Sequence, residues 1–110
     1  MKQIIAYIKP HKLSPVTMAL HKIEGLTGMS VIDVRGFGRG RGNPTTREQL
    51  YDFVPHVKIE IVCLDALVDE IVAAIQQNAH TGLRGDGKIY VAEVLDAVRI
   101  SSDKRGEEAV

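Results

Sequence analysis

Residues 57–94, VKIEIVCLDALVDEIVAAIQQNAHTGLRGDGKIYVAEV, decide the fold. Val57, Ile59, Ile61 and Cys63 alternate with Lys58 and Glu60, continuing from His56, which is the pattern of a half-buried strand. Val68, Ile71, Val72, Ile75 and Ala79 then recur at helical spacing and form one apolar face. Thr81–Lys88 is rich in turn residues, and Ile89–Val94 reads as a further strand. This half of the chain is strand, helix, loop, strand.

The other half has the same layout without repeating the same residues. Gln3–Ile8 is short and β-prone and ends at Lys9-Pro10, where proline stops a paired strand. Ser14-Pro15 reads as a helix start, with serine as the N-cap and proline in the first helical position. Val16, Ala19, Leu20 and Ile23 give that helix its buried face, and Gly25 is its expected stop. Met29–Phe37 is a second strand. Gly38–Tyr51 then breaks every regular pattern, and a connection this long in a compact domain is usually functional. The order strand, helix, strand, long loop, strand, helix, strand predicts an α+β, ferredoxin-like βαββαβ sandwich. One antiparallel sheet would carry both helices on one face. No linker divides the chain, so residues 1–110 are expected to form a single domain.

Composition narrows the functions. With 45% hydrophobic and 25% charged residues, the chain is an ordinary globular protein and not a disordered one. No apolar run approaches the roughly 18 residues of a membrane span. The opening MKQIIAYIKP has too short an apolar stretch for a secretory signal, so the cytoplasm is the expected compartment. One cysteine, Cys63, excludes an internal disulfide framework and a cysteine-only zinc site. Fourteen basic and fourteen acidic residues cancel, which argues against a whole-surface attraction to nucleic acid. The charge is nevertheless local: four arginines and no acid lie between Arg35 and Arg47.

Catalytic constellations are missing. No serine, histidine and aspartate share a supporting motif, and no carboxylates form a spaced acid–base pair. His11, His21, His56 and His80 have no i, i+4 pair on one helix, so no metal site is read from them.

Two glycine-rich segments remain. In Arg35–Gly42, RGFGRGRG, glycines would let backbone N–H groups approach an anion, and arginine forks would add charge-assisted bonds. Gly85-Asp86-Gly87-Lys88 offers successive backbone donors and an ammonium, a phosphate nest. Neither has the spacing of a Walker A loop. Either segment alone is also compatible with a plain surface turn. Their position beside one sheet, with Arg99 after the last strand, favours a ligand bearing phosphate.

In these segments the sequence resembles the PII signal-transduction proteins, the nitrogen regulatory protein P-II family. MKQIIAYIKPHKL is similar to the family's opening strand and turn, GLTGMSVIDVRGFGRGRG to the second strand and the base of its T-loop, and VPHVKIEIV to the returning strand. TGLRGDGKIYV is similar to the B-loop signature, and AVRISSDKRGEEAV to the C-terminal segment. On this resemblance residues 38–52 are the T-loop, 81–88 the B-loop and 99–110 the C-terminal segment.

The resemblance implies a homotrimer that binds adenine nucleotides, ATP or ADP, in clefts between subunits. Gly36, Gly38 and Arg39 at the T-loop base, Gly85, Asp86, Gly87 and Lys88 of the B-loop, and Arg99 are the implied nucleotide contacts. Ser30 stands where the family often has a threonine near the adenine. The implied partner, met through the T-loop, is a membrane transporter or a metabolic enzyme. The protein would be neither an enzyme, a nucleic-acid binder nor a membrane-inserted protein.

Departures from the pattern bear on the effector. Gly40 replaces a glutamine that helps hold magnesium and 2-oxoglutarate, and His56 replaces a lysine that contacts the oxoacid. These two losses argue against ordinary 2-oxoglutarate sensing and leave magnesium open. With them, Arg41 and Arg47 are the candidate effector and T-loop residues. Ser101 replaces a second arginine near the phosphates. The T-loop is shorter than usual, and Tyr51, at its end, reads as a strand-edge packing residue rather than a modification site. The tail lacks the cysteine pair of the carboxysome-associated kind. An RNA-binding ferredoxin-like module is the alternative, since Arg39–Arg47 resembles an arginine-glycine segment. That use needs exposed aromatic residues on the sheet to stack bases. A slow ATPase is a further alternative, without an evident base.

Overall fold

Four strands and two helices alternate as the hydrophobic periods require. A computed structural model describes residues 1–37 and 53–110. Strand β1 spans Lys2–Ile8, helix α1 Leu13–His21, β2 Ser30–Gly36, β3 Val54–Cys63, helix α2 Val68–Ala79 and β4 Gly87–Glu93. The sheet order is β2-β3-β1-β4, with every neighbouring pair antiparallel. This is the ferredoxin-like α+β sandwich expected from the element order.

The two central strands carry the core. Ile4, Ala6 and Ile8 of β1 and Val57, Ile59, Ile61 and Cys63 of β3 all point to one face and are buried. Val16, Leu20 and Ile23 after and within α1, and Ile71, Ile75 and Ala79 of α2, close over them. Each large aliphatic side chain buried in this way contributes roughly 1.5–3 kcal/mol. The outer strands β2 and β4 are mostly exposed.

The opposite face of the sheet has no covering element among the described residues. Registers place Ile5 and Tyr7 of β1, Ile32 and Val34 of β2, Val62 of β3 and Tyr90 of β4 on it. Ile32 is 45% and Tyr90 51% exposed. Tyr7 and Tyr90 meet edge to face, with ring centroids 6.4 Å apart.

Four local boundaries differ from the sequence expectation. Ser14 does not cap α1. A short 3-10 turn, Pro10–Lys12, runs straight into the helix, Lys12 takes the cap position, and Ser14 and Pro15 fall inside the first turn. Proline is tolerated there because those N–H groups lack helical partners anyway. Gly25 does not end the helix, which stops at His21. It closes the following turn at φ +90°, a conformation that glycine takes freely. Strand β3 starts at Val54, two residues before the alternation that begins at His56, because β2 continues to pair with it as far as Gly36. Pro55 is accommodated because β1 ends opposite Val57, leaving one flank of that proline without a strand. Finally, β4 begins at Gly87, so Gly87 and Lys88 belong to a strand and not to the preceding loop. Pairing with Ile8 and Tyr7 draws them in.

Candidate functional site

The registers bring four chain segments to one end of the sheet. Ile8 at the end of β1 faces Val57 on one side and Gly87 on the other, and Gly36 at the end of β2 faces Val54. The start of β4, the start of β3, the end of β1 and the end of β2 therefore share an edge. The loop between α2 and β4 arches over it.

Three side chains fasten that loop. The Thr81 N–H donates to Asp86 Oδ2 at 2.8 Å, and the Thr81 hydroxyl donates to Asp86 Oδ1. Lys9, just past β1, reaches Asp86 Oδ1 at 3.2 Å and Thr81 Oγ1 at 3.2 Å. The Leu83 N–H also donates to Thr81 Oγ1, at 3.1 Å. The hydroxyl and N–H of Thr81, then the Lys9 ammonium, hold the Asp86 carboxyl well below the usual carboxylate range. Asp86 is thus a charged, paired residue inside the loop.

Two glycines adapt the backbone. Gly85 has φ +84°, and Gly87 has φ +105° with its α-carbon against the main chain of Tyr7. Lys88 follows, exposed, and forms none of the ion pairs among the described residues. Beneath the loop, a cleft of about 400 Å³ opens between α2 and β4. Its walls include Ile75, Ala79 and Ile89, with Gln76, His80 and Asp86 beside them.

His56 has partners that its sequence position did not suggest. Its Nε2 lies 3.2 Å from the Gly85 carbonyl oxygen and its Nδ1 3.4 Å from that of Val54. Both neighbours are backbone acceptors.

One chain gathers only part of the expected residue set. Gly36, His56, Gly85, Asp86, Gly87 and Lys88 stand at the same end of the sheet. Ser30 does not: it lies at the opposite end of β2 from Gly36, facing Glu60 of β3. Arg99 does not either, since it follows the far end of β4, where Glu93 pairs with Lys2. There its N–H donates to the Lys104 carbonyl at 2.9 Å, and its own carbonyl accepts from Asp103 at 2.8 Å. Gly38, Arg39, Gly40, Arg41 and Arg47, with Tyr51, lie outside the described residues.

Lys9 and Thr81 were not singled out by sequence reasoning. A signal existed for each. In a βαββαβ sheet the end of the first strand lies beside the start of the fourth, so a cation after β1 meets the loop before β4. A threonine and an aspartate at the two ends of a glycine-containing turn are also natural partners.

Among the described residues, no three or more histidine, cysteine, aspartate or glutamate side chains converge as a metal site, and no helix is long and apolar enough to cross a membrane.

Comparison with known proteins gives a consistent result. The family model described as nitrogen regulatory protein P-II matches residues 1–104. The nitrogen regulatory protein P-II of Rhodospirillum rubrum is 49% identical over 113 aligned residues, and that of Azospirillum brasilense 47%, with the whole of each chain covered. The nitrogen regulatory protein P-II 1 of Escherichia coli K12 is 45% identical, again over the full length of both chains.

Proposed function

The chain belongs to the nitrogen regulatory protein P-II family, whose members are regulators, and on that premise we propose that it is a non-catalytic signalling protein whose effector is an adenine nucleotide. The observation that carries this reading is the fastened loop. Lys9 neutralises Asp86, so among the described residues the charges left without an ion pair at the loop are the exposed Arg84 guanidinium and the Lys88 ammonium. That ammonium and the glycine-rich backbone around it suit a chain of phosphates. They stand at the same end of the sheet as Gly36 and Val54, the two feet of the 38–52 segment.

ATP or ADP would lie in clefts between subunits of a homotrimer. The uncovered sheet face, with Ile32, Val62 and Tyr90, supports burial against further copies of the chain. Ser30 and Arg99, remote from the loop in one subunit, would reach the nucleotide from a neighbouring one. The 38–52 segment, with Arg39, Arg41 and Arg47, would then carry the nucleotide state to a membrane transporter or a metabolic enzyme in the cytoplasm. A nucleotide shifts that segment only by its differential affinity for the segment's arrangements. Ordinary 2-oxoglutarate sensing is not part of the proposal. Gly40 has no side-chain oxygen, and the ring nitrogens of His56 face carbonyl oxygens, surroundings that disfavour a carboxylate.

Isothermal titration calorimetry with ATP and with ADP, each with magnesium and each with and without 2-oxoglutarate, tests the reading. Nucleotide binding that 2-oxoglutarate leaves unchanged is expected. Binding of neither nucleotide would overturn it, and tight 2-oxoglutarate binding would overturn the reading of Gly40 and His56.

One observation favours the RNA alternative: Tyr7 and Tyr90 lie on the open sheet face. Their edge-to-face packing engages the rings with each other, which leaves them poorly disposed to stack bases. A gel shift with single-stranded RNA at physiological salt separates the two readings.

A further inference from the structure

His56 joins two parts of the molecule that no other described side-chain hydrogen bond connects: the start of β3 and the loop before β4. Its ring, half-buried, lies between two carbonyl oxygens, and carbonyls only accept. We assign the ring proton to Nε2, which faces the nearer carbonyl, that of Gly85 at 3.2 Å, so that Nε2–H donates to Gly85. The bond acts on a particular peptide. Gly85 has φ +84°, and the next residue, Asp86, is tied to Thr81 and Lys9. A trans peptide points its C=O and N–H in opposite directions. Fixing the Gly85 carbonyl toward β3 therefore turns the Asp86 N–H away from it.

We propose that His56 is a positioning residue for the loop: by holding the Gly85 carbonyl it sets the Gly85–Asp86 peptide, and with it the direction of the donors offered to an anion. The inference rests on the nucleotide reading above for its consequence, not for its geometry. It also gives that reading a path. Val54 and His56 are the foot of the 38–52 segment, and Gly85 belongs to the loop, so the two move together while the bond holds.

Three variants of the full chain test it. His56→Leu keeps the bulk and removes the donor. His56→Gln keeps an amide N–H at the reach of Nε2. His56→Asn places its donor near Nδ1 instead, short of Gly85. Amide hydrogen exchange at residues 82–87 and calorimetric affinity for ATP are read in each. His56→Leu should speed exchange in the loop and weaken ATP binding roughly tenfold, the equivalent of one lost hydrogen bond. His56→Gln should restore both and His56→Asn neither, with β1 and β3 amides as protected as in the parent. Unchanged loop exchange in His56→Leu overturns the proposal, as does a His56→Gln variant no better than His56→Leu. If the parent binds no ATP, the nucleotide reading falls, and loop exchange alone still decides the role of His56.

Discussion

Gly87 backs onto Tyr7 so closely that a methyl group on its α-carbon would lie 1.6 Å from the Tyr7 carbonyl oxygen and 2.7 Å from the carbonyl carbon. The close approach is where β4 joins the sheet, beside the pair of Gly87 with Ile8. Neither partner can yield, because β1 is one of the two central strands that carry the core. Gly87→Ala therefore combines a backbone overlap with a φ of +105° that an alanine rarely takes. It should destabilise by about 3 kcal/mol or more. At Gly85 an added methyl would make only an ordinary 3.9 Å contact with the Lys9 side chain, leaving the positive φ as the cost. Gly85→Ala should cost about 1–2 kcal/mol. Urea unfolding of the two variants checks the order; equal midpoints would contradict it.

The Asp86 network makes stability depend on acid. Thr81 and Lys9 lower the folded-state pKa of Asp86, and the terminal ammonium of Met1, with Lys2, lowers that of Asp65. A group whose folded pKa is depressed binds fewer protons folded than unfolded. Its contribution is complete above the unfolded value, about 3.9, and is lost as pH falls through the folded value. The urea midpoint should therefore hold from pH 7 to 5 and decline below about pH 4. Asp86→Asn should start lower at neutral pH and decline less steeply, since only the Asp65 share remains. A variant with the parent's acid slope would show that Asp86 does not carry the effect.

The sequence made the framework legible and the fastenings obscure. Alternation in Val57–Cys63 and the helical spacing from Val68 to Ala79 each report burial on one face, and burial is what fixes those elements. The end of α1 and the start of β4 are decided elsewhere. Gly25 carries a helix-stop signal, yet the turn it belongs to runs from Ile23 to Leu26, past the helix end at His21. Gly87 and Lys88 read as loop because glycine is a poor strand former, and only the partner strand β1 recruits them. In the site, glycines and cations stand out in one dimension, whereas Lys9 and Thr81 acquire meaning only when the sheet order sets them beside Asp86. Resemblance alone groups Ser30 with the loop, and its place after the last strand groups Arg99 with it, yet one chain keeps both apart from the loop.

The open sheet face predicts assembly. Ile32 stands on it at the outer strand, with Val62 and Tyr90 also exposed on the same side. Burying this face against copies of the chain removes apolar surface from water, at about 25 cal/mol per Å². Ile32→Glu would place a carboxylate in that contact without disturbing the core between sheet and helices. Sedimentation velocity should give a trimer for the parent and a monomer for Ile32→Glu. Met18→Glu, on the exposed side of α1, should remain trimeric. A monomeric parent would remove the assembly from the proposal, and a trimeric Ile32→Glu would place the interface elsewhere.

Lys88 provides the direct test of the anion site. Its carbon stem runs from a strand residue paired with Tyr7, so removing the ammonium leaves the strand register in place. Asp86 is already satisfied by Lys9, so no described carboxylate is orphaned by the change. Lys88→Ala should therefore weaken ATP binding without loss of stability or of the trimer. A hydrogen bond to a charged group contributes about 1.5–3 kcal/mol, which corresponds to roughly 10- to 150-fold in affinity. Arg39→Ala, in the segment beyond β2, should act in the same direction. Calorimetry on both variants, with sedimentation as the control for assembly, decides the matter. Parent-like affinity in both would remove the phosphate assignment from this loop, whereas weak binding with an intact trimer would place the phosphates beside Lys88.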